Sequence, residues 1–471
     1  MSLDLSTPRR IHVIGVGGPG MNPIAAVLAA QGHRVSGSDL KESSGLVRLR
    51  SLGVEVFVGH DESNVQGVDV VVRSTAVPDR NIEVQAAHAA GIPVLARAAA
   101  LRAISQLRRT VSVAGTHGKT TTTSMLAMCL VDAALQPSFI VGGDVNDIGS
   151  GAVWEDDGSL FVVEADESDG TFEEIVSGAA IVTNLERDHL EFHGSFDNLV
   201  EAFRRFMGAV DGPIVACGDD EWSDRLAREF GAITYGTAAG CDHRIVDASF
   251  DHGVSRWSIE SVTSDGELER VGPIELPVPG MHNVRNATAA FVMAQALGAE
   301  PDDLVRALGR FGGVARRFEF RGDVAGVTFV DDYAHLATEV AAAIDAGRSG
   351  GWNRVVAVFQ PHRYSRTADV WRDFSGAFTA ADHIVITDVY PAGEKPRPGI
   401  TGQLIVDAVL ADHASLDVVY TPTRQELRAH LEAELRPGDL CLTLGAGDLT
   451  SLPDQLITAL GERSGDGGAG G

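Results

Sequence analysis

Residues 111–124, Val-Ser-Val-Ala-Gly-Thr-His-Gly-Lys-Thr-Thr-Thr-Thr-Ser, predict a short apolar strand, a turn with two glycines and the start of a helix. A strand, turn and helix in this order point backbone N–H groups at a phosphate. The spacing is G-x-x-G-K-T, two residues shorter than the common G-x-x-x-x-G-K-[ST] pattern. The stretch still predicts a phosphate-binding loop.

The residue types in this turn suit a nucleoside triphosphate. Gly115 and Gly118 let the backbone approach an anion, Lys119 can neutralise phosphate charge, and Thr120 offers a hydroxyl to Mg²⁺. Lysine occurs at only three positions, 41, 119 and 395, among 38 basic residues. A compact ammonium suits a phosphate, so a lysine here favours nucleotide binding over an ordinary turn with an incidental lysine.

Composition bounds the class of protein. A length of 471 residues predicts about three domains, and 44% hydrophobic with 22% charged residues indicates a globular protein. A net charge of −27 argues against nucleic acid and anionic membranes as partners. The four scattered cysteines indicate reduced thiols, and neither a signal peptide nor a long apolar run is present, so we expect a cytoplasmic protein. Residues 462–471 predict a flexible tail.

The N-terminal region predicts a second nucleotide site. A buried strand at residues 11–14 leads into Gly15-Val-Gly-Gly-Pro-Gly20, and the next strand ends in Asp39. This G-x-G-x-x-G pattern with a later acid predicts a Rossmann-like domain that binds a nucleoside diphosphate. The pattern alone does not identify NAD. A polar loop containing Ser74 and Thr75 follows another strand, where ligands bind in open α/β sheets, although ordinary turn chemistry would also explain it.

Further polar clusters follow apolar strands. Glu164-Ala-Asp-Glu-Ser-Asp169 places four acids at a strand end, where nucleotide-hydrolysing sheets hold Mg²⁺. Asp188-His189 follows the next strand. Asn283 and Asn286 lie one helical turn apart and could reach a base or ribose, with helix capping as the alternative. Arg363 and Arg366 suit a carboxylate, with solvated surface arginines as the alternative.

Together these motifs resemble the Mur ligase family, in the right order and over essentially the whole chain. The motifs that carry the resemblance are Gly115-Thr-His-Gly-Lys-Thr-Thr121, Glu164-Ala-Asp-Glu-Ser-Asp169, Thr183-Asn184 with Asp188-His189, His282-Asn283-x-x-Asn286-Ala287, Arg316-Arg317-Phe318 and Asp332-Tyr333-Ala334-His335. Within the family, the first glycine motif, His117 and Gln360-Pro-His-Arg-Tyr-Ser-Arg-Thr367 are most similar to the branch that joins L-alanine to UDP-N-acetylmuramate.

The resemblance implies an α/β fold of three domains. It implies a Rossmann-like UDP-sugar domain over residues 1–107, a central P-loop-type ATPase domain with a mostly parallel sheet over 108–312, and a Rossmann-like amino-acid domain over 313–471. It also implies ligation in peptidoglycan precursor synthesis. The lactoyl carboxylate of UDP-N-acetylmuramate attacks the γ-phosphate of ATP, and the amine of L-alanine then attacks the acyl phosphate. That chemistry needs charge neutralisation and in-line placement.

The resemblance also implies roles for individual residues. Lys119, Glu164 and His189 are expected to be catalytic, and two Mg²⁺ ions, replaceable by Mn²⁺, to be held by Thr120, Glu164 and His189. ATP is expected at Gly115, Thr116, His117, Gly118, Lys119, Thr120, Thr121, Asn283, Asn286, Arg317 and Asp332. The UDP-sugar is expected at Gly15, Gly17, Gly18, Gly20, Asp39, Ser74, Thr75 and Arg97. L-alanine is expected at Tyr333, His335, Arg363 and Arg366.

Departures from the family pattern and alternative functions remain open. His335 is followed by Leu-Ala where the family usually has His-Pro, Arg97 is followed by Ala-Ala-Ala in place of Ala-Glu-Met, and Pro19 and Pro23 are unusual at the first helix. A same-family ligase for another amino acid or a peptide, an NAD(P)-dependent oxidoreductase and a non-catalytic UDP-sugar sensor are the alternatives. Lys119, Glu164 and His189 favour the ligase. We expect a monomer or weak homodimer.

Overall fold

Runs of buried valine, isoleucine and alanine form the strands of three β-sheets, one for each predicted domain. The structure is a computed structural model that describes residues 3–145, 150–251, 253–262 and 265–466. The confirmed fold class is α/β with mostly parallel sheets. Helices follow most strands, as the right-handed crossover between parallel strands requires.

The first sheet has five parallel strands in the order β3-β2-β1-β4-β5. This is the strand order of Rossmann-like domains, whose ligands bind where the order reverses, here beyond β1 and β4. The strands are β1 (Arg10–Ile14), β2 (Arg34–Asp39), β3 (Glu55–Val58), β4 (Val70–Arg73) and β5 (Val94–Ala96), and the helices are α1 (Asn22–Ala30), α2 (Ser44–Ser51), α3 (Ile82–Ala89) and α4 (Arg97–Ser105), with a 3₁₀ turn at Glu62–Val65.

The second sheet has ten strands in the order β15-β14-β13-β12-β11-β10-β6-β9-β7-β8. The strands are β6 (Arg109–Ala114), β7 (Ser138–Val145), β8 (Ser150–Val153), β9 (Leu160–Glu164), β10 (Ala179–Val182), β11 (Ile214–Cys217), β12 (Ile233–Gly236), β13 (His243–Asp251), β14 (Val254–Val262) and β15 (Leu268–Leu276). Strand β6 runs parallel to both β9 and β10. The loops that follow these three strands therefore meet at one edge of the sheet.

Helices accompany the second sheet in the predicted alternation. They are α5 (Lys119–Asp132), α6 (Leu190–His193), α7 (Phe196–Gly208), α8 (Glu221–Phe230), α9 (Met281–Ala296) and α10 (Pro301–Gly309), with a 3₁₀ turn at Thr171–Glu174. Helix α7 shows why they form. The Ser195 hydroxyl caps its N-terminus by accepting from Asn198 N, and one face, carrying Leu199, Phe203 and Phe206, is buried.

The third sheet has six strands in the order β16-β17-β21-β18-β19-β20, with only β16 antiparallel to its neighbour. The strands are β16 (Glu319–Val324), β17 (Val327–Asp332), β18 (Arg354–Phe359), β19 (His383–Ile386), β20 (Val418–Tyr420) and β21 (Asp439–Leu444). The helices are α11 (Ala337–Ser349), α12 (Tyr364–Val370), α13 (Gln403–Asp412), α14 (Arg424–Glu434) and α15 (Leu452–Asp466), with 3₁₀ turns at Trp371–Gly376 and Asp448–Ser451.

The chain forms two compact units, and the first two sheets share one of them. The first unit comprises Met1–Val246, Ser258–Ile274 and Arg285–Phe311, and the second comprises Asp247–Trp257, Glu275–Val284 and Gly312–Gly471. The second unit thus begins its long final piece at Gly312, beside the boundary predicted between residues 312 and 313. The boundary predicted between residues 107 and 108 lies within the first unit, where it separates the first sheet from the second.

The C-terminal tail differs in part from the sequence expectation. Helix α15 continues to Asp466, so residues 462–466 are helical where a flexible tail was predicted, and residues 467–471 lie outside the described part of the chain. Over the four described ranges, the helices are all too short or too polar to cross a bilayer.

Candidate active site

The predicted phosphate loop connects β6 to α5, as expected. Gly115 and Gly118 adopt φ values of +134° and +80°, which L side chains rarely adopt. A Cβ at Gly115 would lie 2.0 Å from Thr183 Oγ1, and one at Gly118 would lie 2.5 Å from Asn286 Oδ1. The first N–H groups of α5, at Lys119 and at the buried Thr120 and Thr121, have no acceptor within the helix. The loop therefore has the geometry of an anion cradle.

The end of β10 holds this loop in place. Thr183 Oγ1 donates to His117 O at 2.6 Å, and the Asn184 side chain both accepts from His117 N at 2.8 Å and donates to His117 O at 3.2 Å. Thr116 N donates to Asn184 O at 3.0 Å, while its hydroxyl accepts from Glu186 N. Sequence reasoning left Thr183 and Asn184 out of the predicted site, although their place after a strand parallel to β6 could have revealed them.

Lys119 lies at the centre of a buried charge cluster. Its ammonium donates to Gly115 O at 2.7 Å and to both carboxylate oxygens of Glu167 at 3.0 and 2.9 Å. Burial disfavours the charged amine, but Glu167, Asp166 and Glu164 outweigh that effect and raise the pKa of Lys119 above its ordinary value. Glu167 is only 1% exposed and was missing from the predicted site residues. Lys119 is thus held as a cation beside the glycine turn.

Glu164 and His189, the other predicted catalytic residues, lie at or beyond the ends of the two strands that flank β6. Glu164 ends β9 and accepts from Gly142 N at 2.9 Å. His189 has φ +53° before α6, and its Nε2 lies 3.2 Å from Asp188 Oδ2. Among the residues that the structure describes, no group of three or more His, Cys, Asp or Glu side chains is arranged to hold a metal ion. Glu164 and His189 therefore offer one carboxylate and one imidazole. A small ligand set suits Mg²⁺, which commonly takes one or two protein ligands together with phosphate oxygens.

The two predicted asparagines have different surroundings. Asn286 lies against Gly118, as the distance to its Oδ1 shows. The buried Asn283 donates from Nδ2 to Pro279 O at 2.8 Å, so its amide N–H₂ serves the local backbone. Between them, Arg285 donates from Nε to Asp219 Oδ2 at 2.8 Å, which anchors the start of α9 to the loop after β11.

The predicted UDP-sugar residues gather at the carboxyl ends of β1, β2 and β4. Asp39 Oδ2 accepts from Gly17 N at 2.9 Å, so this carboxylate holds the glycine turn as well as lying where a ribose was expected. A Cβ at Gly15 would lie 3.2 Å from Ser74 Cβ, and one at Gly18 would lie 3.3 Å from Gly15 O. Thr75 is exposed in the adjoining turn.

Arg97 joins this turn to the acidic residues of the second sheet. A Cβ at Gly20 would lie 2.6 Å from Arg97 Nη1, while Arg97 Nη2 lies 3.0 Å from Asp169 Oδ2 and 3.6 Å from Asp166 Oδ2. Arg97 Nε is buried without a hydrogen-bond partner. The carboxylates beside Arg97 therefore come from the loop after β9. The three residues after Arg97, Ala98-Ala99-Ala100, include no acid where the family usually has one.

In the second unit, three parallel strands deliver polar residues to one sheet edge. Gly445 N, after β21, donates to Asp332 O at 3.0 Å, and Gln360 N, after β18, donates to Leu444 O at 3.0 Å. The buried Asp332 carboxylate accepts from Phe318 N and Ala334 N, both at 2.7 Å. Burial raises the pKa of Asp332 to about 6, against the opposing charge of Arg317 and these hydrogen bonds.

Two aromatic rings of the predicted amino-acid site, Tyr333 and His335, lie near this edge beside Arg316 and the predicted ATP residue Arg317. The guanidinium groups of Arg316 and Arg317 lie 4.7 and 5.1 Å from the ring centre of Tyr333, at distances typical of cation–π contacts. The Tyr333 and His335 rings lie 5.5 Å apart. His335 Nδ1 lies 3.1 Å from Tyr333 O and 3.3 Å from Glu339 Oε2, so this nitrogen carries a proton.

His362 lies between the predicted Arg366 and His335. Its Nδ1 accepts from Arg366 Nη1 at 3.2 Å, and its ring lies 6.0 Å from that of His335. Burial, then the charges of His335, Arg366 and Arg363, lower the pKa of His362 to about 3. Arg363 has φ +68° at the start of α12. His362 was absent from the predicted site residues, although it directly precedes Arg363 in the quoted motif.

Comparison with known proteins covers nearly the whole chain. The Mur ligase family catalytic domain matches residues 10–109, the Mur ligase middle domain matches 113–294, and the Mur ligase glutamate ligase domain matches 316–447. UDP-N-acetylmuramate–L-alanine ligase from Renibacterium salmoninarum is 44% identical over 98% of each chain. The same-named protein from Rubrobacter xylanophilus is 43% identical over 96% of this chain and 100% of its own.

Solved structures give the same result. A UDP-N-acetylmuramate–alanine ligase from Thermotoga maritima superposes with a TM-score of 0.80 at 28% identity, covering 98% of this chain and 100% of that one. These matches and the ordered strand-end motifs agree. The chain belongs to the Mur ligase family.

Proposed function

We propose that this protein is an ATP-dependent ligase that joins L-alanine to UDP-N-acetylmuramate in peptidoglycan precursor synthesis. The observation that carries the proposal is identity of 40–44% to ligases of that name over nearly the full length of both chains. The geometry agrees with it, because a charged Lys119 lies beside a glycine turn that can accept a phosphate. An oxidoreductase reading of the first glycine motif would leave this second loop without a function.

The proposed reaction has two steps. A lactoyl carboxylate oxygen attacks the γ-phosphorus of ATP, and the bond to the bridging oxygen breaks to release ADP. The alanine nitrogen then attacks the acyl carbon, the bond to phosphate breaks, and the amine loses a proton. The first step brings an anionic carboxylate and a triphosphate together, and in the second step negative charge develops on the acyl oxygen and the leaving phosphate, so fixed positive charge is the main requirement of the site.

We assign the phosphate-transfer roles to the first unit. Lys119 neutralises charge on the transferring phosphoryl group, and the N–H groups at the start of α5 bind its oxygens. Thr183 and Asn184 hold the turn rigid, and Asn286 binds the nucleotide beside Gly118. Preorganised donors of this kind cost no reorganisation when the charge develops.

We assign metal binding to Thr120, Glu164 and His189. Mg²⁺ would supply charge neutralisation between phosphate oxygens and the substrate carboxylate, and Mn²⁺ should substitute for it. Glu164 is the last residue of β9 and His189 follows β10, the two strands that flank β6. This strand order supports the assignment, because both strands end at the sheet edge that carries the phosphate loop.

We assign the remaining substrates by the chemistry of their groups. The turn from Gly15 to Gly20, with Asp39, Ser74, Thr75 and Arg97, would bind the UDP-sugar at the edge where Rossmann-like sheets bind nucleotides. Arg363 and Arg366 would hold the alanine carboxylate beside Tyr333 and His335, because a guanidinium fork binds a carboxylate bidentately. Arg317 and Asp332 would contact ATP.

We further propose residues 1–107, 108–312 and 313–471 as the three functional domains. The reaction would take place in the cytoplasm, where ATP is made and thiols such as the four free cysteines stay reduced. A monomer or weak homodimer is the expected assembly, and sedimentation of the purified protein would measure it.

The deciding experiment is phosphate release by the purified protein. We expect release only when UDP-N-acetylmuramate, ATP, Mg²⁺ and L-alanine are all present, with weaker activity for glycine and serine. Release with the tripeptide L-alanyl-γ-D-glutamyl-meso-diaminopimelate in place of L-alanine would assign a peptide-adding activity instead. Absence of release with every amine would contradict the ligase assignment.

A further inference from the structure

A glutamate from another loop of the second unit contacts the start of α12, the short helix that follows Arg363 and contains Arg366. Glu394 Oε2 accepts from Ser365 N at 2.9 Å, and Glu394 Oε1 accepts from the Ser365 hydroxyl. Glu394 lies 29 residues further along the chain, in the loop that connects β19 to α13. Both of its carboxylate oxygens therefore bind one residue in the first turn of α12.

Helix α12 does not cap its own first turn. Its N-cap residue is Arg363, whose guanidinium group has donors only, and the Arg363 side chain makes no cap hydrogen bond. The first N–H groups of a helix have no acceptor within the helix, and a carboxylate is well suited to bind them. The Arg363 carbonyl already accepts from Thr367 N and Thr367 Oγ1, at 3.0 and 2.8 Å. Glu394 thus supplies the acceptor that Arg363 lacks.

Backbone hydrogen bonds determine where the loop places Glu394. At the two ends of the loop, Asp388 Oδ1 accepts from Val389 N at 2.9 Å and from Gly402 N at 3.0 Å. Between them, Glu394 N donates to Pro391 O at 2.9 Å and closes a tight turn. The Glu394 carboxylate is therefore presented to α12 from a hydrogen-bonded turn.

The same loop also holds the backbone of Arg363. Arg363 N donates to Tyr390 O at 2.9 Å, and Tyr390 N donates to Pro361 O at 2.8 Å. Arg363 needs this support because its φ of +68° is uncommon for a residue with a side chain. The loop thus binds Arg363 through Tyr390 and the next turn of chain, at Ser365, through Glu394.

The negative charge of Glu394 separates two possible roles for this residue. Burial raises the pKa of the Glu394 carboxyl group. The hydrogen bonds from Ser365 and the charges of Arg397 and Arg363 outweigh burial, so this pKa lies below its ordinary value. An ionised carboxylate here repels the carboxylate of an amino acid bound at Arg363. Electrostatics alone therefore predicts that loss of Glu394 tightens alanine binding, whereas loss of support for α12 weakens it.

We propose that Glu394 is a positioning residue for the amino-acid site: it fixes the first turn of α12 so that Arg363 and Arg366 are oriented to bind the alanine carboxylate. A guanidinium group binds a carboxylate bidentately only in a fixed orientation, so the support matters for alanine and not for the phosphate chemistry. The proposal rests on the proposed function, which assigns Arg363 and Arg366 to that carboxylate.

The test is steady-state phosphate release by the full-length protein, with L-alanine varied at saturating ATP and UDP-N-acetylmuramate. Glu394→Ala should raise the KM for L-alanine about tenfold, an effect of the size expected for a lost helix cap. Its kcat should stay within about twofold, and the KM values for ATP and UDP-N-acetylmuramate should not change. Glu394→Gln keeps a side-chain oxygen for Ser365 N and should bring the KM for L-alanine to within about threefold of the unaltered protein.

Two further variants complete the test. Asp369→Ala removes an exposed acid from the same helix and should leave the KM for L-alanine unchanged. Ser365→Ala loses the hydroxyl donor but keeps the backbone N–H, so its KM for L-alanine should lie between those of Glu394→Ala and the unaltered protein. Ser365→Ala decides the question if Glu394→Ala does not fold, and an unchanged KM in it then overturns the proposal.

For folded Glu394→Ala, an unchanged or lower KM for L-alanine overturns the proposal. The proposal is also overturned by an equal rise in Glu394→Gln or Asp369→Ala, or by a similar rise in the KM values of all three substrates. If the unaltered protein releases no phosphate with L-alanine, the proposed function itself fails, which is a distinct result.

Discussion

The Lys119 ammonium and the Glu167 carboxylate form a buried ion pair, with Nζ 3.0 and 2.9 Å from the two carboxylate oxygens. Lys119 is the first residue of α5, which follows the phosphate loop, and Glu167 lies three residues beyond the end of β9. The pair is largely removed from bulk water, since the Lys119 side chain is 11% and the Glu167 side chain 1% exposed. Each group therefore depends on the other, and removal of either has consequences for both stability and catalysis.

Lys119→Ala should abolish phosphate release and leave UDP-N-acetylmuramate binding in the absence of ATP nearly intact. It should also destabilise the fold by about 1–3 kcal/mol, because Glu167 is left buried without its partner. Burial already raises the pKa of Glu167 to about 7, so the unpaired carboxyl takes up a proton. Turnover, calorimetry and urea unfolding measure the three effects. Arg228→Ala, which removes a mostly exposed surface cation, should change none of them measurably. Retained turnover in Lys119→Ala would refute the role of the lysine.

Gly115→Ala should weaken ATP binding at least about tenfold and destabilise the protein by about 1–3 kcal/mol. The added Cβ would meet Thr183 Oγ1 at 2.0 Å, in a backbone conformation with φ +134°. Gly53 is the control, since it also has positive φ but open space around its Cβ position. Gly53→Ala should cost only about 1–2 kcal/mol and leave ATP affinity unchanged. Equal ATP affinity in both variants would contradict the proposal that the close packing of Thr183 against Gly115 shapes the ATP site.

Glu83 should make the first sheet sensitive to acid. The fully buried carboxylate accepts from Ser38 Oγ and Asn64 Nδ2, both at 2.6 Å. Burial alone would raise the pKa of Glu83, but these bonds and the neighbouring His12 outweigh it and lower the pKa to about 2. Its stabilising contribution is therefore present above the ordinary value of 4.5 and is lost as the pH falls toward 2.

Chemical unfolding between pH 7 and pH 3 tests this expectation. Glu83→Gln should lose about 3 kcal/mol at pH 7, by analogy with breaking a buried charge interaction, and its stability should vary less with acid. Glu62→Gln, at an exposed position in the neighbouring 3₁₀ turn, should behave like the unaltered protein. A variant at Glu83 with unchanged acid sensitivity would exclude this carboxylate as the cause.

Arg366→Ala should raise the KM for L-alanine about 30-fold or more, equivalent to about 2 kcal/mol for a lost charge-assisted contact. The KM values for ATP and UDP-N-acetylmuramate should change little, because the assigned partner of Arg366 is the alanine carboxylate. Arg372→Ala, an exposed arginine in the next 3₁₀ turn, serves as the matched control. Similar KM values for L-alanine in the two variants would remove Arg366 from the site.

Removal of divalent cations should stop phosphate release without unfolding the protein. In the described part of the chain, no three-ligand metal group supports the fold, so EDTA should leave the thermal unfolding temperature unchanged. Added Mg²⁺ should restore activity fully, and Mn²⁺ should substitute. Loss of the folded state on chelation would show that a bound metal ion stabilises the fold.

Much of the fold and part of the site were predictable from local sequence. Apolar runs ending in glycine or acidic residues located the strands, and the order of motifs gave three α/β domains, because buried parallel strands have few other ways to pack. The positions of Lys119, Asn286 and Gly17 were predictable because each depends on the turn or helix start that contains the residue. Thr183, Asn184 and Glu167 were not assigned, since their contacts depend on which strands lie beside β6.

The sequence by itself determined the class of fold, the family and the positions of the two glycine turns, since each follows from short motifs and their order along the chain. Only the tertiary structure decided that Glu167 is the partner of Lys119, that Asp169 holds Arg97 and that Asn283 serves its own backbone. The physical reason is that the first two pairings join residues 48 and 72 positions apart in the chain. The contact of Asn283 depends on which side-chain rotamer the packing allows. Strand order and burial determine these side-chain contacts, and neither can be deduced from a short stretch of sequence.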